Sequence, residues 1–246
     1  MSGAVYKLIY WPLAGRGEYI RLMLELAGVP YEDCTNPKEG GFYPGITDPK
    51  AAQQMATDES GFPMLAVPCL QILATGQSIN QTSVISRYIA DKHGLGPERE
   101  EDWARAEAAV ATMHDFIMEG NIAFHGKNLY DDYLNQKEET KPYLELFVGK
   151  RLPRFLRYFQ NLLHWASGQG WEEFTFGKKP SYVDVTLLGV LRATADSLPH
   201  AWKELTEGKE EFQSLLAFKE RMEAQQRIRD YLKSERCHKL QGYSMM

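Results

Sequence analysis

The sequence predicts a small α/β unit followed by an all-helical unit. Over roughly the first 93 residues, short runs of β-branched and aromatic residues alternate with helical periodicity. The stretch Gly94-Leu95-Gly96-Pro97 then breaks the last helix of this region. From Glu98 onward the strand signals almost vanish and long helical periodicities replace them. We therefore expect two domains, at residues 1–93 and 99–246.

The first half has the pattern β-α-β-loop-β-β-α. Gly28 directly follows a helical run and is a suitable C-cap. Residues 36–61 are rich in Gly, Pro, Asp and Lys, which predicts a loop. The predicted elements are a strand at 4–11, a helix at 17–27, a strand at 29–34, a short helix near 49–56, a hairpin of strands at 64–67 and 70–73, and a helix at 81–93.

The second half has no comparable strand signals. Apolar residues recur there at helical spacing over long stretches. Ser181 and Asp184 form a capping-box pattern, which indicates the start of a helix. Helices are predicted at 99–124, 139–166, 182–194, 212–223 and 225–233.

Composition excludes several classes of function. The chain has 246 residues and a formal net charge of -5, so no basic field would attract nucleic acid. The first residues do not resemble a secretory signal, and no run of about 18 apolar residues occurs. The cysteines lack zinc-ligand spacing and are expected to be reduced thiols. These features predict a cytoplasmic protein with neither a nucleic acid nor a membrane as partner.

Four motifs stand out along the chain. They are Tyr-Trp-Pro-Leu-Ala-Gly-Arg-Gly-Glu-Tyr-Ile-Arg at 10–21, Phe-Pro-Met-Leu at 62–65, Gln-Thr-Ser-Val-Ile at 81–85 and Ser-Tyr-Val-Asp at 181–184. In this order they resemble the motifs of the cytosolic glutathione transferases, and the resemblance covers nearly the whole chain. The similarity is greatest to the tyrosine-type members, of the sigma-like or pi-like class. It implies a thioredoxin-like glutathione-binding domain and a helical domain that forms a hydrophobic substrate pocket.

The resemblance also implies the chemistry. Glutathione is the co-substrate, and its thiolate attacks a small hydrophobic electrophile without a metal or redox cofactor. Tyr10 ends the first predicted strand, and its hydroxyl would stabilise the thiolate by a hydrogen bond. Arg16 would add positive potential beside the sulfur. The plain alternatives are an aromatic core residue at position 10 and a solvated arginine at position 16.

The resemblance assigns further residues to glutathione. Pro63 corresponds to a cis-proline, and the backbone of Phe62 would pair with the cysteinyl unit. Gln81 and Thr82 start a helix, where free N–H groups and the helix dipole favour the γ-glutamyl carboxylate. For the glycyl carboxylate the candidates are Lys50, Phe42 and Gln54. The family commonly has a tryptophan in that loop, and residues 36–61 have none.

Asp115 matches an acidic residue that reaches the γ-glutamyl amine across a dimer, so the resemblance implies a homodimer. The plain alternative is a solvated helix aspartate. The hydrophobic pocket is expected to include residues that are equally suited to a helical core, namely Leu13, Met118, Ile122 and Phe124.

Three other functions stay open at this point. One is a glutathione-dependent isomerase. A second is a non-catalytic crystallin-like or ligand-carrier protein on the same fold, which would keep the scaffold and lose turnover. A cysteine-type member is disfavoured because no cysteine lies near Tyr10 in the first turn.

Overall fold

The first half of the chain forms short strands and two helices, as predicted. The structure, a computed structural model, describes residues 3–42, 56–129, 131–207, 210–240 and 242–245. Helix α1 ends at Gly28, whose φ of 68° is the left-handed conformation that suits glycine at a C-cap. The elements are β1 (Tyr6–Ile9), α1 (Gly15–Ala27), β2 (Tyr31–Cys34), β3 (Ala56–Thr57), β4 (Pro63–Met64), β5 (Cys69–Ile72), β6 (Ser78–Asn80) and α2 (Thr82–His93).

Four of these strands form one mixed sheet in the order β2-β1-β5-β6. Strand β1 is parallel to β2 and antiparallel to β5, and β5 is antiparallel to β6. The remaining strands, β3 and β4, form a separate antiparallel pair. The predicted hairpin of 64–67 with 70–73 is therefore wrong. Its two apolar runs are strands, but each has another partner, and a pattern within one segment does not specify which strand lies beside it.

The second half is helical. The predicted helix at 139–166 is two helices joined by a π-helical segment at Phe147–Arg151. Helix α7 is an additional helix that the periodicity does not predict, because its eight residues, the first of which is a proline, are too few to show a clear period. The helices are α3 (Trp103–His125), α4 (Lys137–Leu146), α5 (Leu152–Gly168), α6 (Tyr182–Ser197), α7 (Pro199–Thr206), α8 (Gln213–Glu223) and α9 (Gln226–Leu232).

One continuous hydrophobic core includes side chains from both halves. Helix α6 lies at its centre, and α1 packs against it at Gly189, where a Cβ would lie 2.5 Å from the Tyr19 ring. The predicted boundary at 94–98 falls between α2 and α3. The exact division into domains stays a prediction.

The predicted capping box is present at the start of α6. The Asp184 carboxylate accepts the backbone N–H of Ser181 at 2.7 Å, and both residues are buried. Such a cap contributes about 0.5–2 kcal/mol to stability. Among the described residues, no helix is both long and apolar enough to cross a membrane.

Candidate functional site

All four strands of the sheet end beside one another at one edge. The register aligns the last residues of β1, β2 and β6 with the first residue of β5. Beyond this row lie Tyr10 after β1, Pro68 before β5 and Gln81 after β6. Adjacent strands are about 4.8 Å apart, so these three positions span about 10 Å. We refer to this row as the strand-end edge.

Tyr10 is held against the start of α1. Its side chain is buried, and its phenol oxygen accepts the backbone N–H of Arg16 at 2.9 Å. Two glycines make this contact possible. A Cβ at Gly15 would lie 2.5 Å from the phenol oxygen, and one at Gly17 would lie 2.4 Å from a ring carbon. The Tyr10 ring therefore packs directly against the first turn of the helix, in space that side chains at Gly15 and Gly17 would otherwise fill.

The environment keeps the Tyr10 hydroxyl protonated. Burial raises the pKa of this phenol above its ordinary value, and the Arg16 N–H and the charges of Arg16 and Arg21 only partly oppose that effect. Arg16 N–H occupies a lone pair of the oxygen, so the phenol hydrogen is available for donation. No acceptor for it occurs among the described residues. Tyr10 can therefore donate a hydrogen bond to a ligand at the strand-end edge.

Arg16 is not a freely solvated side chain. It is half-buried, and its guanidinium donates a hydrogen bond to the sulfur of Met118 on α3. Arg16, predicted for catalysis, and Met118, predicted for the apolar pocket, are thus in contact. The arginine charge lies at the start of α1, on the same turn whose N–H holds the Tyr10 oxygen.

Gln81 has an unusual backbone conformation at the start of α2. Its φ is 73°, a region that residues other than glycine seldom adopt and that is enriched at functional sites. It makes no side-chain capping bond, so the first N–H groups of α2 keep no side-chain partner within the described residues. The Oγ1 atom of the next residue, Thr82, is buried and also unpartnered there. Free N–H groups at a helix start favour an anion, so this position is suited to a carboxylate.

The prediction for Phe62 and Pro63 is wrong. The cis peptide bond lies between Val67 and Pro68 instead. Both backbone groups of Phe62 are already engaged, because its N–H donates to the Asp58 carboxylate and its C=O accepts the Asp58 N–H. Pro63 begins β4, which belongs to the separate pair of strands.

Val67, and not Phe62, is the residue that precedes the cis-proline. It precedes the first residues of β5, next to Tyr10 along the strand-end edge. Its N–H and C=O form no backbone hydrogen bond within the described ranges. Pro63 begins a short strand and Pro68 directly precedes one, so the two prolines look alike in the sequence and the pairing of β5 with β1 distinguishes them.

Gln81 and Phe62 line one depression of about 710 Å³. It also contains two carboxylates, those of Asp58 and Glu59, which the sequence analysis did not identify. Three exposed apolar side chains lie in or near this region, at Phe62, Leu65 and Val84, and their exposed fractions are 58%, 77% and 52%.

Asp115 lies on the same face of α3 as Met118 and Ile122. The three residues line a depression of about 500 Å³ between α3 and α5, in which the Arg151–Glu119 ion pair also lies. Asp115 is exposed, and Gln81 lines a different depression. Within one chain, therefore, the structure does not bring the aspartate together with the start of α2.

The prediction that Phe124 lines the pocket is wrong. Its side chain is 2% exposed and packs edge-on against Tyr133, with ring centroids 5.1 Å apart. Phe124 lies six positions after Met118, and six positions correspond to a rotation of about 240° around the helix axis. The two side chains therefore lie on different faces of α3. Leu13 is half-buried beside Gly15, near the Tyr10 hydroxyl.

The candidates for the glycyl carboxylate do not form a site within the described residues. Lys50 and Gln54 lie outside the described residues. Phe42 is buried in a small core cluster with Ile9 and Cys34, so its side chain packs in the interior.

The three cysteines are free thiols.

Known proteins resemble this chain in both sequence and fold. The family profile described as "Glutathione S-transferase, C-terminal domain" matches residues 125–235. Hematopoietic prostaglandin D synthase of Gallus gallus is 32% identical over 151 residues, which are 59% of this chain and 68% of that protein. Glutathione S-transferase P 10 of Caenorhabditis elegans is 30% identical over 184 residues, which are 75% of this chain and 73% of that protein.

The chain belongs to the cytosolic glutathione transferase family. A solved structure of the same fold, the Pi-class glutathione S-transferase of Onchocerca volvulus, aligns with a TM-score of 0.67 at 23% identity. The alignment covers 93% of this chain and 92% of that one. The predicted fold class, a small mixed-sheet domain followed by a helical domain, is confirmed.

Proposed function

We propose that this glutathione transferase holds glutathione along the strand-end edge and joins its thiolate to an apolar electrophile. The protonated and oriented Tyr10 phenol carries the proposal. It donates its hydrogen to the thiolate, and because this bond favours the charged sulfur, the pKa of the thiol falls. More nucleophile is then present near neutral pH.

The spacing of the strand ends supports this placement. An extended tripeptide spans about 10 Å at 3.3–3.6 Å per residue, which matches three strand ends about 4.8 Å apart. The thiol is on the middle residue of glutathione. With the cysteinyl backbone added as a strand beside Val67, the thiol faces Tyr10 and the γ-glutamyl end reaches Gln81.

The γ-glutamyl group carries a carboxylate and an ammonium. In this proposal the carboxylate binds the first N–H groups of α2 and the Thr82 hydroxyl, and the ammonium binds Asp115 of a second chain. Gln81 and Asp115 line different depressions of one chain. An aspartate that serves the γ-glutamyl group would therefore come from a second chain, which supports a contact between two chains. Exposed Phe62, Leu65 and Val84 support it too, because a partner would remove their apolar surface from water. The active form is then a homodimer.

The electrophile binds beside Leu13, Met118 and Ile122. Met118 and Ile122 are more than one-third exposed, and their apolar side chains suit a hydrophobic substrate. The Arg16 guanidinium, in contact with Met118, adds positive potential near the sulfur. The thiolate forms a thioether as the leaving group departs, and conjugation of this kind serves the detoxification of such electrophiles in the cytoplasm.

A glutathione-dependent isomerase is the second candidate. It is favoured by one relative, which is a prostaglandin D synthase by name. The same thiolate would attack an endoperoxide and be released again. A carrier protein without turnover is disfavoured, because packing of Tyr10 alone would not need the Arg16 N–H on its hydroxyl.

Retention on a glutathione resin and turnover of a generic aryl halide test the proposal together. The parent protein should show both. The Gln81→Ala/Thr82→Ala variant should lose retention, while Gln226→Ala, at an exposed glutamine of α9, should behave as the parent does. Equal retention of the double variant would mean that the γ-glutamyl site is elsewhere. Retention of the parent without any turnover would support a carrier, and turnover of an endoperoxide alone would support the isomerase.

A further inference from the structure

The loop between Tyr10 and α1 takes its shape from one arginine. Arg21 of α1 is fully buried, and its guanidinium donates to three loop carbonyls. The donor–acceptor distances are 3.0 Å to Leu13, 3.3 Å to Ala14 and 3.4 Å to Trp11. This loop begins at the residue after Tyr10 and ends at Ala14, and the second residue of the helix that follows is Arg16, whose N–H holds the Tyr10 oxygen.

Arg21 is itself fixed by Asp33 of β2. The carboxylate accepts two hydrogen bonds, from Nε at 2.8 Å and from Nη2 at 3.2 Å. A fork of this kind orients both planar groups. Asp33 also contacts the C-terminal part of the chain, since His238 Nε2 lies 3.0 Å from its Oδ2 atom. An ionised carboxylate only accepts, so His238 donates this bond.

The residues around His238 fasten to the same loop, and we call residues 237–239 the C-terminal strap. The carbonyl of Lys239 accepts the backbone N–H of Ala14 at 3.1 Å. Before the strap, the Tyr231 hydroxyl donates to Glu18 of α1 at 2.8 Å, and both side chains are buried. The strap thus meets the loop at its backbone and, through Asp33, at the arginine that shapes it.

We propose that His238 is a positioning residue for the Tyr10 hydroxyl, acting through Asp33, Arg21 and the loop. The inference rests on the proposed role of Tyr10. Without the imidazole, Asp33 loses one donor and the strap loses its only side-chain bond to β2 within the described residues. Arg21 and the loop carbonyls then have more freedom, so the Arg16 N–H orients the phenol less firmly. The phenol stabilises the thiolate less in consequence.

Three variants test this inference. His238→Ala removes the donor, His238→Gln supplies an amide N–H of similar reach, and His200→Ala makes the same substitution at an exposed histidine of α7. The measurements are the pKa of the bound glutathione thiol, kcat and KM for glutathione, and the melting temperature.

We expect His238→Ala to raise the thiol pKa by about 0.5–1 unit and to lower kcat near neutral pH about three- to tenfold. KM for glutathione should change less than about twofold, because the binding groups at Val67 and Gln81 are untouched. His238→Gln should recover most of the loss. A thiol pKa unchanged in His238→Ala, or a kcat that falls only as the folded fraction falls, would overturn the inference.

A double variant separates this inference from the proposed function. If His238 acts through the phenol, the His238→Ala change should leave the thiol pKa unaltered when Tyr10 is already Phe. An equal shift in both backgrounds would show that His238 does not act through Tyr10. If Tyr10→Phe alone left the thiol pKa unchanged, the proposed role of Tyr10 would fail instead.

Discussion

Replacing Tyr10 with Phe separates the chemical role of the side chain from its packing. The variant keeps the ring against Gly15 and Gly17 and removes only the hydroxyl. A hydrogen bond to a charged group contributes about 1.5–3 kcal/mol, and one pKa unit corresponds to about 1.4 kcal/mol. The pKa of the bound thiol should therefore rise by about one to two units.

The direction of the pH effect follows from the reactive species. The thiolate reacts, so a higher thiol pKa leaves less nucleophile near neutral pH, and turnover should fall about tenfold or more there. Much of the loss should disappear at higher pH, where the thiol ionises unaided. Thiolate absorbance followed against pH, with and without the substitution, measures the shift directly.

The stability of the variant provides a control. Removing the hydroxyl leaves the Arg16 N–H without its acceptor, which should cost about 1 kcal/mol, or about 2–4 °C in melting temperature for a chain of this size. Tyr143→Phe, at a half-buried tyrosine on α4, should leave the thiol pKa and turnover unchanged. An unchanged thiol pKa in Tyr10→Phe with intact turnover would mean that Tyr10 only packs.

Three further substitutions test the site and the fold. Light scattering should give about twice the 28.1 kDa chain mass, and Asp115→Asn should weaken glutathione binding without changing that mass; a fully active monomer would contradict the dimer. Gly17→Ala should lower kcat and stability because its Cβ would lie 2.4 Å from the Tyr10 ring, whereas Gly149→Ala, with no neighbour within 4 Å, should not; equal effects would refute the packing argument. Asp184→Ala should lower the unfolding free energy by about 1 kcal/mol or more in denaturant titration, and a smaller loss would mean that the capping box contributes little.

The sequence pattern predicted the helix ends that depend on residues close together in the chain. Gly28 marks the end of α1, and Ser181 with Asp184 marks the start of α6, because capping depends on residues a few positions apart. Pairing of strands depends on distant residues. The cis bond lies one strand later than predicted, at Pro68, and only the pairing of β5 with β1 distinguishes this proline from Pro63.

The same distinction applies to the candidate site. Tyr10 directly follows β1 and Gln81 directly precedes α2, because each lies next to a recognisable element, and their roles in binding and catalysis stay predictions. Phe124 was misplaced because an apolar residue on a helix suits a pocket as well as a core, and only the contact with Tyr133 decides. Arg21 and His238 were not identified at all. Their roles depend on Asp33, and the histidine lies 205 residues from it in the chain.

The close approach of α1 to α6 at Gly189 restricts how the chain can be recombined with its relatives. Because the Tyr19 ring occupies the space of a side chain at that position, a donor first half with a different residue at 19 would meet a mismatched surface. A hybrid protein joined near residues 94–98 should therefore fold only when the residue at position 19 of its first half fits against position 189 of its second half. The contact between Gly189 and Tyr19 therefore limits the exchange of either half for that of another protein.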